Sequence, residues 1–239
     1  MSAHVTDAAD SGLPLTGERT VPGVAVENYW FRRHEVVYAR LAGLCAGRDV
    51  LEAGCGEGYG ADLIASVARR VIAVDYDASA VAHVRSRYPR VQVLAGNLAS
   101  LPLPDSAVDV VANFQVIEHL WDQPQFVTEC LRVLRPGGLL LMSTPNRITF
   151  TPGSDTPVNP FHTRELNAAE LAELLIDGGF RMRSMAGVFH GPRLVEMDAR
   201  HGGSIIDAQI ARALADAPWP EGLLADVAAV RDDDFELLA

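Results

Sequence analysis

The stretch Val50-Leu51-Glu52-Ala53-Gly54-Cys55-Gly56-Glu57-Gly58-Tyr59-Gly60 holds the residue types in this chain best suited to chemistry. An apolar run ends on the carboxylate of Glu52 and breaks into alternating glycines, and a helical pattern follows. Glycines at such a turn let the backbone fold tightly and admit a ligand where a Cβ would stand in the way. Gly56, Gly58 and Ala61 also fit a variant of the dinucleotide fingerprint. A dinucleotide, however, lays its pyrophosphate over this turn, where the charge of Glu52 would repel it. S-adenosylmethionine carries no phosphate, and its sulfonium and ammonium cations suit an acidic turn. The segment is therefore expected to be a methyl-donor pocket. Asp75 ends the next apolar run, Val71-Ile72-Ala73-Val74, at the distance where either ligand presents ribose hydroxyls. It supports a nucleoside without separating the two.

These side chains need a frame to hold them. Apolar runs at Asp49–Ala53, Val71–Asp75, Val91–Ala95, Val108–Phe114 and Leu139–Ser143 read as strands. Ala61–Arg69, Ala78–Tyr88 and Gln123–Leu134 have helical spacing, with Asp77 and Asp122 as N-caps of the last two. Such alternation predicts an α/β fold: a doubly wound, mostly parallel, Rossmann-like sheet covered on both faces. Ligands of such sheets sit beyond the carboxyl ends of the strands, where Glu52, Asp75, Asn97 and Gln115 all fall. The expected division is an N-terminal segment and lid over 1–40, a core over 41–190 and a C-terminal helical extension over 191–239. Ile205–Ala217 and Leu223–Val230 read as helices that form a cap or a homodimer surface. Arg193 and Arg200 are candidates to grip an acceptor, with solvated turns as the default.

A chain of 239 residues can bury one sizeable core. Its 49% hydrophobic and 21% charged content is that of an ordinary globular protein. It holds no apolar run of about 18 residues, so no membrane span is expected. No secretory signal is legible either. Cys45, Cys55 and Cys130 lack CxxC spacing, which suits a reducing cytoplasm and argues against structural zinc. A net charge of −11 with no basic tract makes nucleic acid an unfit partner and leaves a small-molecule or glycan acceptor.

Five features occur in the order of one family: the glycine motif, Asp75, Gly96-Asn97-Leu98-Ala99-Ser100-Leu101-Pro102-Leu103-Pro104-Asp105, Asn113-Phe114-Gln115-Val116-Ile117-Glu118-His119-Leu120, and Leu134-Arg135-Pro136-Gly137-Gly138. Over roughly Val50 to Val188 the chain resembles the class I S-adenosylmethionine-dependent methyltransferases. The resemblance implies that Glu52, Gly54, Cys55, Gly56 and Gly58 hold the methionine end and that Asp75 binds the ribose. It implies Tyr76 on the adenine, Asn97 and Leu98 at the adenine edge, and Phe114 and Gln115 along the methionine side. Many members carry Asp in place of Asn97, a swap that removes a charge and keeps an amide. Gly17-Glu18-Arg19-Thr20-Val21-Pro22 and Glu27-Asn28-Tyr29-Trp30-Phe31-Arg32-Arg33-His34 resemble the entry region of a subset of these enzymes. Tyr29 or Trp30 would face the sulfonium as part of a lid, or seal the apolar end of the sheet.

The text from Leu15 through Asp234, including Phe161-His162-Thr163-Arg164-Glu165 and His201-Gly202-Gly203-Ser204, is similar to actinobacterial sugar O-methyltransferases of methylglucose lipopolysaccharide assembly. That resemblance implies a sugar hydroxyl as acceptor, with the 6-hydroxyl of glucose in an α-glucan as one candidate. A small hydrophobic acceptor such as a quinone or polyketide is the alternative within the family. Outside it stand a nicotinamide-dependent oxidoreductase and a non-catalytic donor-binding subunit. The family closes its sheet with an antiparallel hairpin. Phe180–Val188 can supply one strand, but no clear second precedes Ala239, so either the sequence is truncated or its end pairs in another way.

An alcohol attacks the donor's methyl poorly until a base or a metal takes its proton. His119 is the first candidate base, since it follows the fourth strand on the ligand edge and titrates near neutrality. Glu118 would orient it, or be a buried structural carboxylate. His162 is the second candidate. It ends a proline-rich stretch, Thr144–Arg164, longer than an ordinary connection, just before the capping box Asn167-Ala168-Ala169-Glu170. Some relatives bind a divalent ion here through two carboxylates and one or two histidines. With Gln115 in the first carboxylate's place, only Glu118 and His119 remain, and no tightly bound metal is expected.

Overall fold

The computed structural model describes residues 13, 18–215 and 218–239. Leu15 and Gly17 of the matched N-terminal text, and Asp216 and Ala217 of an expected helix, lie outside them. In chain order the elements are α1 (Asn28–Leu41), β1 (Asp49–Ala53), α2 (Tyr59–Ala65), β2 (Arg70–Asp75), α3 (Ala78–Arg87), β3 (Val91–Ala95), β4 (Val108–Phe114), α4 (Gln123–Val133) and β5 (Leu134–Ser143). There follow α5 (Arg147–Phe150), α6 (Ala168–Asp177), β6 (Gly187–His190), α7 (Pro192–Arg200), α8 (Ile205–Leu214), α9 (Glu221–Ala229) and β7 (Phe235–Leu238). The chain forms two compact units.

The larger unit comprises residues 13, 18–19 and 37–183. Its sheet has the order β3-β2-β1-β4-β5, with every pair parallel. All five residues of β1 are buried, as a central strand covered on both faces requires. On one face Leu51, Ala53, Ile72, Val74 and Val111 pack with Phe126, Val127, Cys130 and Val133 of α4 and Leu175 of α6. Asp77 and Asp122 cap α3 and α4 as expected, each accepting from a first-turn amide. Asn167 and Glu170 form the capping box of α6. Helix α2 is shorter than its spacing suggested, because Ser66 turns its hydroxyl onto the Leu63 carbonyl (2.6 Å) and the chain bends into β2. The fold is thus the Rossmann-like class I sheet, with strand ends aligned along one edge.

The smaller unit comprises residues 20–36, 184–215 and 218–239. The second strand that the sequence does not make plain is Phe235–Leu238, and it pairs antiparallel with Gly187–His190 as a two-stranded sheet. The first strand also lies later than expected: only Gly187 and Val188 of the Phe180–Val188 run belong to it. Tyr29, expected as part of a lid or as an apolar seal, is enclosed in this unit. Its ring packs on Trp30 and Phe235, and its hydroxyl donates to His190 Nε2 (2.7 Å), whose Nδ1 meets Asp198 (2.6 Å). Arg193 and Arg200 pair with Asp234 and Asp226, so both guanidiniums are engaged within the unit.

Candidate active site at the carboxyl edge of the sheet

The glycine loop hangs from the end of β2. The amides of Gly54 and Cys55 donate to the Val74 carbonyl (2.8 and 3.2 Å), and the Gly56 amide donates to Asp75 Oδ2 (2.8 Å). Gly54 has φ +85°, and a Cβ there would stand 2.5 Å from the Val116 side chain, so both backbone and space demand glycine. At Gly58, φ is +96° and a Cβ would strike Val84 and Tyr88. Cys55 is buried, and burial holds its thiol far above the ordinary value, so it lines the loop as an inert neutral group.

Glu52 is the loop's electrostatic centre. It is buried at the end of β1, with Oε1 accepting from the Tyr38 hydroxyl (2.6 Å) and Oε2 without a partner among the described residues. Burial pushes its carboxyl up to about 8, opposed by the Tyr38 bond and reinforced by Asp75. An orphaned carboxylate oxygen beside a glycine turn fits a ligand that brings its own cation and N–H donors. That is the chemistry of a methionine end, and the opposite of a pyrophosphate.

Asp75 accepts from two backbone amides, Gly56 through Oδ2 and Asp77 through Oδ1 (3.0 Å). Its carboxyl is raised by burial, against the pull of those two amides. The next residue, Tyr76, is 71% exposed and presents a free ring face, its hydroxyl tied to Glu18 (2.6 Å), which carries its ionisation up to about 12. Across the edge, Asn97 Oδ1 holds a local turn by accepting from the Ala99 amide, and Leu98 is buried beneath it. Phe114 is buried at the end of β4. Gln115 follows with φ +57°, a left-handed conformation costly for a residue with a side chain. Its amide N–H donates to the Ser143 carbonyl (2.8 Å) and its Nε2 to the Ser143 hydroxyl (3.0 Å), which hold the bend.

The third group is Glu118, His119 and His162, which have one ligand-type atom each within 4.8 Å of one another. The proline-rich loop returns to the β4 edge to bring this about. The Thr163 and Arg164 amides and the Thr163 hydroxyl donate to the Glu118 carbonyl, and Gln123 Nε2 donates to the Arg164 and Ile117 carbonyls. His119 Nδ1 donates to the Phe161 carbonyl (2.9 Å), so its Nε2 carries the lone pair. His162 Nδ1 meets Glu165 (2.6 Å), and Asn159 donates to its Nε2 (3.1 Å). The rings meet edge to face at 4.8 Å. Burial lowers the proton affinity of both imidazoles, and for His119 the neighbouring His162 adds to this, so both are neutral at pH 7. Glu118 is buried with Oε2 accepting from the Thr144 hydroxyl (3.0 Å), and burial pushes its carboxyl up to about 8.

Glu52, the glycines, Asp75, Tyr76, Asn97, Leu98, Phe114, Gln115 and the Glu118–His119–His162 cluster thus all belong to the sheet unit, and Tyr29 to the other. Tyr38 was missed in the sequence, as were Arg19, which pairs with Asp77 (2.7 Å) and lies 3.9 Å from where a Gly56 Cβ would be, and the group of His83 and Tyr88 on buried Glu57. Glu57 and His83 gave no signal of their own. Tyr38 gave none either; only the structure shows that a Cβ on Gly60 would run into its ring.

A family profile for a methyltransferase domain matches residues 51–142. The chain is 76% identical over 231 residues to a probable S-adenosylmethionine-dependent methyltransferase of Mycolicibacterium smegmatis, covering 97% of this chain and 90% of that one. It is 73% identical over 232 residues to a protein of the same description from Mycobacterium tuberculosis, covering 97% and 85%. Among solved structures, the YcgJ protein of Bacillus subtilis shares the fold with a TM-score of 0.57 and 18% identity, covering 81% of this chain and 82% of that one. No helix among the described residues is long and apolar enough to cross a membrane.

Proposed function

The chain belongs to the S-adenosylmethionine-dependent methyltransferases, and we propose that it transfers the donor's methyl group to a hydroxyl oxygen of a sugar. The observation that carries this reading is His119, a neutral imidazole pinned through Nδ1 by the Phe161 carbonyl and keeping its Nε2 lone pair for a proton. An alcohol needs such a base; an acidic phenol or carboxylate acceptor does not. Trp121, 92% exposed two residues further on, supplies the flat apolar face on which a sugar ring packs.

In this proposal the donor's methionine end lies against Glu52 and the loop Gly54, Cys55, Gly56 and Gly58, with Phe114 and Gln115 along its side. Asp75 takes the ribose hydroxyls, and Tyr76, Asn97 and Leu98 the adenine. The acceptor oxygen attacks the methyl carbon in line with the carbon–sulfur bond. A carbon–oxygen bond forms, the carbon–sulfur pair returns to sulfur, and S-adenosylhomocysteine leaves as a neutral thioether. The hydroxyl proton passes to His119 Nε2. His162, fixed by Glu165 and Asn159, packs the base in place, and Glu118 stays a neutral acid bonded to Thr144. The absence of a tightly held cation remains part of the proposal. His162 joins the two donors counted in the sequence, yet its Nε2 is engaged by Asn159 and one Glu118 oxygen by Thr144.

Acceptor panels test the reading: α-glucan oligosaccharides against quinones and polyketides, with release of S-adenosylhomocysteine as the readout. Turnover confined to the glycans supports it. Turnover confined to the hydrophobic panel transfers the function to the runner-up.

A further inference from the structure

Tyr38 lies on α1, eleven residues before the first residue of β1, and nothing in the transfer step uses it. It is nevertheless the sole described side chain bonded to Glu52. The phenol is buried, packed edge to face on Phe114 of β4 (4.8 Å between centroids) and on Tyr59 of α2 (5.7 Å). Its ring passes over the first turn of α2 where Gly60 stands, and any larger residue at Gly60 would displace it. Contacts from β4 and α2 therefore fix one hydroxyl on α1, and that hydroxyl fixes one carboxylate oxygen. The other oxygen, Oε2, is buried and unpartnered among the described residues.

We propose that Tyr38 is a positioning residue for the methyl donor: its hydroxyl holds Glu52 Oε1 so that Oε2 faces the donor's cationic methionine end, and Gly60 is small to let the phenol through. The inference rests on the reading of Glu52 as the carboxylate that meets the methionine end. A consequence separates positioning from packing. The Tyr38 bond favours the ionised form of Glu52, against burial and against the charge of Asp75 from β2. The other titratable groups set against Glu52 or the Tyr38 phenol are Cys45 before β1, Cys55 in the loop and Tyr59 on α2. Burial keeps both thiols neutral. Donor affinity should accordingly rise with pH as Glu52 ionises, and loss of the Tyr38 hydroxyl should move that rise to higher pH.

The experiment is calorimetric titration of S-adenosylmethionine into wild type, Tyr38→Phe, Gly60→Ala and Glu52→Gln across pH 6 to 9, with folding checked by circular dichroism. Tyr38→Phe keeps the ring and its packing, so it is expected to fold, to bind about tenfold more weakly at neutral pH, and to shift the rise upward. Gly60→Ala should change affinity and profile in the same direction. A Tyr38→Phe profile superimposable on wild type overturns the proposal. So does weaker binding with the rise unmoved, since that is what lost packing alone would give. Failure of the underlying reading looks different: wild-type affinity flat with pH and Glu52→Gln binding as well as wild type.

Discussion

Replacing Glu118 by Gln should make the protein less sensitive to alkali, and the size of the effect follows from its burial. The folded carboxyl sits at about 8 against an ordinary 4.5, because it is enclosed and its bond from Thr144 only partly offsets the loss of water. The folded protein therefore holds this proton more tightly than the unfolded chain does. Its contribution to stability is full below pH 4.5 and is lost as pH rises through about 8. Each tenfold in proton affinity corresponds to about 1.4 kcal/mol, so roughly 3–4 kcal/mol disappears between pH 5 and pH 8 from Glu118 alone. Glu52 titrates over the same window, also displaced to about 8, and should remove a similar amount. Gln keeps the size of the side chain and an oxygen for the Thr144 hydroxyl while abolishing the titration. Urea unfolding at the two pH values should show a steep loss in wild type and about half that loss in Glu118→Gln, with the variant the more stable protein at pH 8. A variant that loses stability with pH as steeply as wild type would refute the reasoning, since Glu118 would then ionise without cost.

Asp75→Ala should weaken binding of S-adenosylmethionine by about 1.5–3 kcal/mol, the worth of bonds to a charged acceptor; unchanged affinity in a folded variant by calorimetry removes Asp75 from the site. His119→Ala should leave donor affinity unchanged and lower turnover by about a hundredfold, and full turnover would make His119 a packing residue. Chelator-washed enzyme should retain its turnover and contain no stoichiometric metal by elemental analysis. One bound divalent ion per chain would instead assign Glu118, His119 and His162 as its ligands.

Much of the sheet unit is legible in the sequence because buried parallel strands are continuous apolar runs and their helices begin on capping side chains. Val50–Ala53 and Val71–Val74 carry that signal within a few residues, and so do Asp77 and Asp122. The polar residues at the carboxyl edge are placed by the same signal, since Glu52 and Asp75 lie at the ends of their strands and Asn97 and Gln115 within two residues after theirs. What stayed hidden depends on contacts between distant segments. His162 meets His119 across 43 positions only because the loop is stitched to the Glu118 carbonyl by the Thr163 and Arg164 amides. Phe235–Leu238 is too short to show a strand pattern alone, and it becomes one by pairing with Gly187–His190. Among the aromatics of α1, position along the helix decides the role: Tyr29 is buried against His190, while Tyr38, nine residues on, reaches Glu52. A ring on an amphipathic helix does not announce in the sequence which partner it has.

The central claim is that the methyl group ends on a sugar oxygen. Its most direct test is to supply S-adenosylmethionine labelled with carbon-13 in the methyl group together with an α-glucan oligosaccharide, and to locate the label by NMR. A methyl carbon correlated through oxygen to a glucose carbon, with C-6 expected, is the predicted result. A glucan left unlabelled, while a quinone or polyketide in the same reaction acquires the methyl, would contradict the account.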